Sequence, residues 1–261
     1  MKRDRASQGI LVTIFTICLA LAGSYLSGAA RATEPMPAGF RDVSAVIPDI
    51  VLDMRYGAAH NFVGETIDGY RAPKCILTKE AAAALAKVQG ELRGFSLSLK
   101  IYDCYRPQRA VDHFVRWAGN ESDTRMKKEF YPAVDKANLF KDGYIASKSG
   151  HTRGSTVDLT IVPLPVSEQE EYAPGQKLRA CTMPAAARFG DNSVDMGCGF
   201  DCFDERAHTA FGGIGLAQRT NRLLLKALME KHGFHNYEME WWHFTLKGEP
   251  FPNTYFDFPI E

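Results

Sequence analysis

The run from Ser149 to Val162 constrains this 261-residue chain more than any other part of it. Thr156, Asp158 and Thr160 alternate with Val157, Leu159 and Ile161, which is the period-two pattern of a strand with one polar and one apolar face. Just upstream, Ser149-Gly150-His151-Thr152-Arg153-Gly154 places an imidazole seven residues before Asp158. Seven is odd, so an ideal strand puts His151 and Asp158 on opposite faces. Gly154 lies between them and can turn the chain. His151 can then come from a loop while Asp158 comes from the strand.

A second segment, Glu240-Trp241-Trp242-His243, adds another imidazole and another carboxylate. Glu240 and His243 are three apart, so both face one point only if the chain bends near Trp241. The two segments together offer two imidazoles, one ligand carboxylate and one spare carboxylate. A catalytic zinc needs three protein ligands, an open position for water and a base near that water. Plainer readings use the same residues: Asp158 facing water, Trp241 and Trp242 as ordinary core. His60, His113, His208, His232 and His235 compete as ligands, and spacing does not separate them.

The rest of the chain reads as mixed elements. Ala82, Leu85, Val88 and Leu92 recur at helical spacing behind Thr78, an N-cap type, and predict a helix over 78–92. Phe95, Leu97, Leu99 and Ile101 alternate, predicting a strand that ends at Asp103. A short amphipathic helix follows Pro107 over 108–118, and another over 217–232 stops at Gly233 as its C′ residue. A last strand is expected over Glu240–Leu246. Residues 163–200 are rich in Pro and Gly with little periodicity and predict a long loop, of the kind that is usually functional or stapled. No regular βαβ alternation is present, so the expected class is α+β, a central antiparallel sheet flanked by helices.

The N-terminus reads as a leader. Lys2, Arg3 and Arg5 precede an apolar run from Ile10 to about Leu26, and Ala30-Arg31-Ala32 has the small-x-small form of a cleavage site. The expectation is a signal peptide over 1–32, one domain over 33–261, a secreted or periplasmic protein, and no stable membrane anchor after cleavage. Cleavage removes Lys2, Arg3, Arg5, Arg31 and Asp4, so 31 basic and 31 acidic residues become 27 and 30, a formal charge of −3. That is no basis for binding nucleic acid. Five cysteines remain after cleavage, Cys75, Cys104, Cys181, Cys198 and Cys202, and an oxidising compartment favours two bridges and one free thiol. Cys104 follows the 95–103 strand and Cys75 precedes the 78–92 helix, which suggests Cys75–Cys104. Cys181–Cys202 would tie the long loop to the segment after it, with Cys198 the rival partner of Cys181.

Ser149–Val162 and Glu238-Met239-Glu240-Trp241-Trp242-His243-Phe244 resemble the two metal-site motifs of the D-Ala-D-Ala dipeptidases. This VanX-type branch of zinc peptidases shares its fold with bacterial D,D-carboxypeptidases and the hedgehog signalling domain. The stretches from Tyr102 to Phe114, from Phe200 to Thr209 and from Pro252 to Pro259 resemble the branch as well, so the similarity runs from about Val46 to the C-terminus. The resemblance implies one Zn²⁺ held by His151, Asp158 and His243, with Glu240 as base. It implies that Arg106 steadies the transition state, that Asp201 meets the substrate's free amine, and that Ser149 and Tyr56 contact substrate. The 163–200 loop with Cys181 and Cys198 departs from the cytosolic members.

The expected activity is therefore hydrolysis of D-alanyl-D-alanine. The competing readings are a D,D-carboxypeptidase or endopeptidase acting on peptidoglycan peptides, and a zinc-stabilised binding domain without catalysis. Asp201 separates the first pair, since an amine-binding acid closes the pocket to longer chains. Glu240 and Arg106 argue against the last, because a structural zinc needs neither.

Overall fold

The structure is a computed structural model that describes residues 35–261; the expected leader, 1–32, lies outside the described residues. In chain order it contains β1 (Phe40–Asp42), β2 (Val51–Leu52), β3 (Ile76–Thr78), α1 (Lys79–Arg93), β4 (Leu97–Asp103), α2 (Gln108–Gly119), α3 (Lys127–Phe130), β5 (Thr156–Pro163), α4 (Leu216–Lys231), β6 (Phe234–Asn236) and β7 (His243–Leu246). Five strands form the main sheet in the order β2-β4-β5-β7-β6, and β1 pairs with β3 in a separate ribbon. The class is α+β. The sheet is antiparallel except at one edge, where β2 runs parallel to β4. Among the described residues, no helix is long and apolar enough to cross a membrane.

The helices form for the reasons their sequences give. The Thr78 hydroxyl accepts from the Ala81 N–H at the start of α1, satisfying one of the orphan donors there. Leu85, Val88 and Leu92 on α1 are fully buried, each worth about 1.5–3 kcal/mol relative to exposure. They share one apolar cluster with Leu225, Leu228 and Met229 of α4 and with Val157, Leu159 and Ile161 of β5. The two helices thus cover the apolar face of the sheet. The C-terminus of α4 is followed by Gly233 at φ 94°, a conformation that suits glycine at C′.

The other face of the sheet is polar and equally dry. Thr156, Asp158 and Thr160 are all buried, so this face is sealed rather than solvated. Part of the seal is the 163–200 loop, whose one regular feature is a 3₁₀ turn at Ala185–Ala187. It is pinned by side chains of β4. Lys100 donates to Gln169, the Asp191 carbonyl and Asn192, and the Tyr102 hydroxyl donates to Asp191 Oδ2 at 2.5 Å. Cys181 and Cys202 come together at a Cα separation of 5.6 Å, and Cys75 and Cys104 at 5.2 Å, both within the usual disulfide range. Cys198 is buried and unpaired.

Two expected boundaries move. The strand predicted from Phe95 begins at Leu97, and Phe95 is exposed. Its N–H bonds to the Leu92 carbonyl at the end of α1, and Ser96 at φ 56° completes the turn, so Phe95 belongs to the helix terminus. The strand predicted from Glu240 begins at His243. The Glu240 N–H bonds to the Tyr237 carbonyl and the His243 N–H to the Glu240 carbonyl, so 240–242 form a turn.

Candidate metal centre and substrate cavity

Sheet register assembles the site. Asp158 on β5 stands directly opposite His243 on β7, and Asp103 on β4 stands opposite Asp158 on the other side. Asp103 has the parity of Leu99 and Ile101, which point into the apolar core. A bulge between Ile101 and Asp103 shifts the register by one and turns Asp103 to the polar face. The result is a row of Asp103, Asp158 and His243 across three strands.

His151 reaches the row from outside the sheet. It sits on a 3₁₀ turn, Gly150–Arg153, started by Ser149, whose hydroxyl accepts from the His151 N–H. Gly154 ends the turn at φ 84°. A Cβ there would collide with the Phe40 ring, so both conformation and space demand glycine. Likewise, the turn at 240–242 resolves the odd spacing of Glu240 and His243 and brings both side chains to one point.

The donor set is compact. His151 Nδ1 lies 2.7 Å from the Cys104 carbonyl, which only accepts, so Nδ1 carries the proton and Nε2 is left as a lone pair. That Nε2 is 3.3 Å from Asp158 Oδ2 and 3.3 Å from His243 Nδ1. His243 Nδ1 is 3.1 Å from Asp158 Oδ1 and 3.3 Å from Glu240 Oε2. A tetrahedral ion with ligand bonds of about 2.0–2.1 Å spans its ligand atoms by about 3.3–3.4 Å, so the separations suit a common ion. Asp158 Oδ1 is buried and, although close to His243 Nδ1, receives no hydrogen bond. A short separation without a hydrogen bond is what two ligand atoms of one ion show. Among the described residues, these three form the one cluster of three or more His, Cys, Asp or Glu able to hold a metal.

Electrostatics agree. Burial opposes the charged form of His243, but the Asp158 and Glu240 carboxylates outweigh it and raise the imidazole to about 10. Burial also opposes an ionised Asp158, yet His151 and His243 hold its carboxyl well below the usual range. The site demands positive charge, which a divalent ion supplies. The competing imidazoles lie elsewhere: His60 pairs with Arg55 and Glu129, His113 with Glu65 and Asp68, and His232 with Glu91. His208 and His235 are outside the cluster.

The triad opens into a cavity of about 260 Å³ that also presents Tyr56, Arg106, Ser149, Asp201 and Glu240. Every sequence-predicted polar residue of the site is therefore in one place. Arg106 donates from Nε to Asp103 Oδ2 at 3.0 Å, and its Nη2 lies 2.9 Å from the same oxygen and 3.7 Å from Asp158. The Tyr56 and Phe114 rings lie under its guanidinium at 4.9 and 5.2 Å. Asp201 is buried at φ 55°, and the Tyr56 hydroxyl donates to its Oδ2 at 2.7 Å. Burial, then the nearby Asp158 charge, push the Asp201 carboxyl well above its ordinary value. A larger cleft of about 920 Å³, lined by His60, Glu168, Tyr172 and Phe189, lies away from the triad. Size does not outrank chemistry here, because none of the ligands reaches it.

Sequence reasoning missed Asp103 and Tyr70. Asp103 is fully buried, takes a hydrogen bond from the Tyr70 hydroxyl at 2.6 Å and fixes Arg106. Its place three residues before Arg106 was the available clue, but the bulge that aims it is invisible in the sequence.

A family model described as D-ala-D-ala dipeptidase matches residues 36–168 and 166–261. The chain belongs to this family of peptidases. Its sequence is 37% identical over 225 residues to a D-alanyl-D-alanine dipeptidase of Enterococcus faecalis, covering 86% of this chain and all of the relative. It is 39% identical over 225 residues to one of Streptomyces coelicolor, with the same coverage. It is 31% identical over 205 residues to one of Escherichia coli, covering 78% of this chain and 83% of that one. For a metal-dependent peptidase family, a His-Asp-His cluster able to bind metal at the floor of a cavity is the expected centre.

Proposed function

We propose that the chain is a zinc-dependent dipeptidase that hydrolyses D-alanyl-D-alanine to two D-alanines, and that it is exported by its N-terminal leader. One observation carries the reading. Asp201 is a buried acid with no ion pair within 4 Å among the described residues, and it opens into the same cavity as the metal triad. A buried carboxylate in that state is neutralised either by a proton or by a cation, and the free amine of a dipeptide is such a cation. The two cysteine pairs at bonding distance support an oxidising compartment.

His151 Nε2, Asp158 and His243 Nδ1 would hold the zinc, which when bound supplies a Lewis acid and a water acidified toward a pKa of about 7. The chain's own groups do the rest. Asp201, oriented by the Tyr56 hydroxyl, holds the substrate ammonium and sets which peptide bond reaches the triad. Glu240 takes the proton of the attacking water and hands it to the leaving amine as the C–N bond breaks. Arg106, kept in place by Asp103, donates to the carbonyl oxygen as it gains negative charge, a role typically worth about 3–4 kcal/mol. In the longer wall peptides that a D,D-carboxypeptidase cleaves, the corresponding nitrogen is an amide and offers Asp201 no ammonium.

The test is release of D-alanine from D-alanyl-D-alanine by the purified protein, before and after chelation. Abolition by chelator and recovery with Zn²⁺ support the reading. Unchanged turnover after complete metal removal, or no turnover with zinc bound, overturns it.

A further inference from the structure

A dipeptide is a zwitterion, and its carboxylate end needs a partner as much as its amine end does. Among the residues lining the cavity, two are lysine or arginine, Arg106 and Lys148. Arg106 is already engaged: its Nε and Nη2 hold Asp103, and its remaining donors are the ones assigned to the carbonyl oxygen. Nearby Arg153 is taken too, with Nε and Nη2 on the Glu249 carboxylate at 2.7–2.9 Å. Lys148 makes no ion pair within 4 Å with any described carboxylate. Its ammonium instead rests over the Tyr255 ring, 5.0 Å from the centroid.

We infer that Lys148 binds the C-terminal carboxylate of the substrate and is the residue that makes the enzyme require a free carboxylate. The inference rests on the dipeptidase reading and deepens it. The Tyr255 ring holds the ammonium by its face without using all three of its N–H donors, and it limits the rotamer freedom that an exposed lysine otherwise loses on binding. Ser149 is the next residue, and its oxygen already accepts the His151 N–H at 3.3 Å. The hydroxyl proton is then free to donate, so a carboxylate at Lys148 gains a second donor from the same segment. The segment that carries Lys148 and Ser149 runs directly into the turn bearing His151, so the carboxylate anchor and a metal ligand share one short piece of backbone.

The experiment compares D-alanyl-D-alanine with its C-terminal amide, using the zinc-loaded enzyme and the Lys148→Met and Lys148→Arg variants. A lost charge-assisted contact corresponds to roughly 10- to 100-fold in binding. The expected result is a loss of that size in kcat/KM for Lys148→Met on the free acid, carried by KM. On the amide, the variant and the unsubstituted enzyme should agree within about threefold, and Lys148→Arg should recover most of the activity on the acid. A merely structural role would lower both substrates together, through kcat and metal content. Equal loss on acid and amide, or no loss on either, overturns the assignment. If the unsubstituted, zinc-loaded enzyme cleaves neither compound, the dipeptidase reading itself fails, and the Lys148 assignment fails with it.

Discussion

Acetylating the amine of D-alanyl-D-alanine should cost the enzyme about 10²–10³-fold in kcat/KM, and the size follows from how Asp201 is held. The residue is 6% exposed, with the Tyr56 hydroxyl as its side chain's hydrogen-bond partner at 2.7 Å. A hydrogen bond to a carboxylate is worth about 1.5–3 kcal/mol, whereas leaving one member of a buried ion pair alone costs about 3–5 kcal/mol. The ion pair therefore dominates, and acetylation removes its positive half. Protonation of Asp201 offsets part of the cost, because burial already pushes its carboxyl upward, which places the expectation at the low end of the range. Two variants separate the contributions. Asp201→Ala should lose most activity on the free dipeptide and nearly equalise the two substrates. Tyr56→Phe should lose roughly 10- to 100-fold and keep most of the preference. The assay is steady-state release of D-alanine from both peptides at saturating zinc. Comparable kcat/KM on free and acetylated peptide in the unsubstituted enzyme would refute the reasoning and favour the carboxypeptidase reading, with the metal site untouched.

The remaining expectations are narrower. His151→Ala should lose bound zinc by elemental analysis, while Glu240→Ala keeps zinc and its thermal unfolding but loses about 10²–10⁴-fold in kcat. Full zinc in the first, or more than about a tenth of normal turnover in the second, contradicts the assigned roles. Asp53 is partly buried, and although burial favours its neutral form, Arg55 at 2.8 Å and Lys100 at 3.2 Å lower its carboxyl to about 2. A depressed carboxyl stabilises the fold above its unfolded value near 3.8, and that stability is lost as pH falls toward 2. Asp53→Asn should then cost about 2 kcal/mol in urea unfolding at pH 7, with the difference shrinking between pH 4 and 2; a constant difference across that window rules the linkage out. Peptide mapping without reductant should recover Cys75–Cys104 and Cys181–Cys202, and a Cys181–Cys198 peptide would refute the second pairing.

Much of the frame was legible in the sequence because it is set locally. Helices α1, α2 and α4 follow from apolar spacing with a Thr78 cap and a Gly233 stop, and β5 follows from strict alternation. What escaped is set by tertiary pairing. Strands β1, β2, β3 and β6 have two or three residues each, too few to leave a period, and exist because a neighbour completes their ladder. The parallel edge made by β2 leaves no local signature at all. The site divides the same way. His151, Asp158, Glu240 and His243 stand out by residue type, and the glycine at 154 and the turn at 240–242 could be inferred as necessities of spacing. Asp103 could not be placed, because its orientation depends on the bulge at Tyr102. The burial of the polar face of β5 was equally hidden, since the loop that seals it lies more than 20 residues further along the chain at Asp191 and Asn192.

Charge balance connects these pieces. The centre gathers four carboxylates, Asp103, Asp158, Asp201 and Glu240, against one guanidinium, Arg106. Ionised together, and with His243 neutral as a metal ligand, they leave an excess of three negative charges in a largely buried site, where such an excess is costly. Protons are one way to reduce it: burial and the neighbouring Asp158 charge push both Asp103 and Asp201 upward, against the pull of Arg106. A divalent ion at the triad and one ammonium at Asp201 are another, and together they cancel the excess. Lys148 then offsets the carboxylate that the same substrate brings. On the proposed reading, a zinc ion with a free dipeptide neutralises every ionised group in the cavity. A peptide without its amine leaves one charge unmatched at Asp201, and one without its carboxylate leaves one unmatched at Lys148. Selectivity at both ends of the substrate is then the same electrostatic condition, imposed by residues that the sheet register, the Gly154 turn and the 240–242 turn bring to a single cavity.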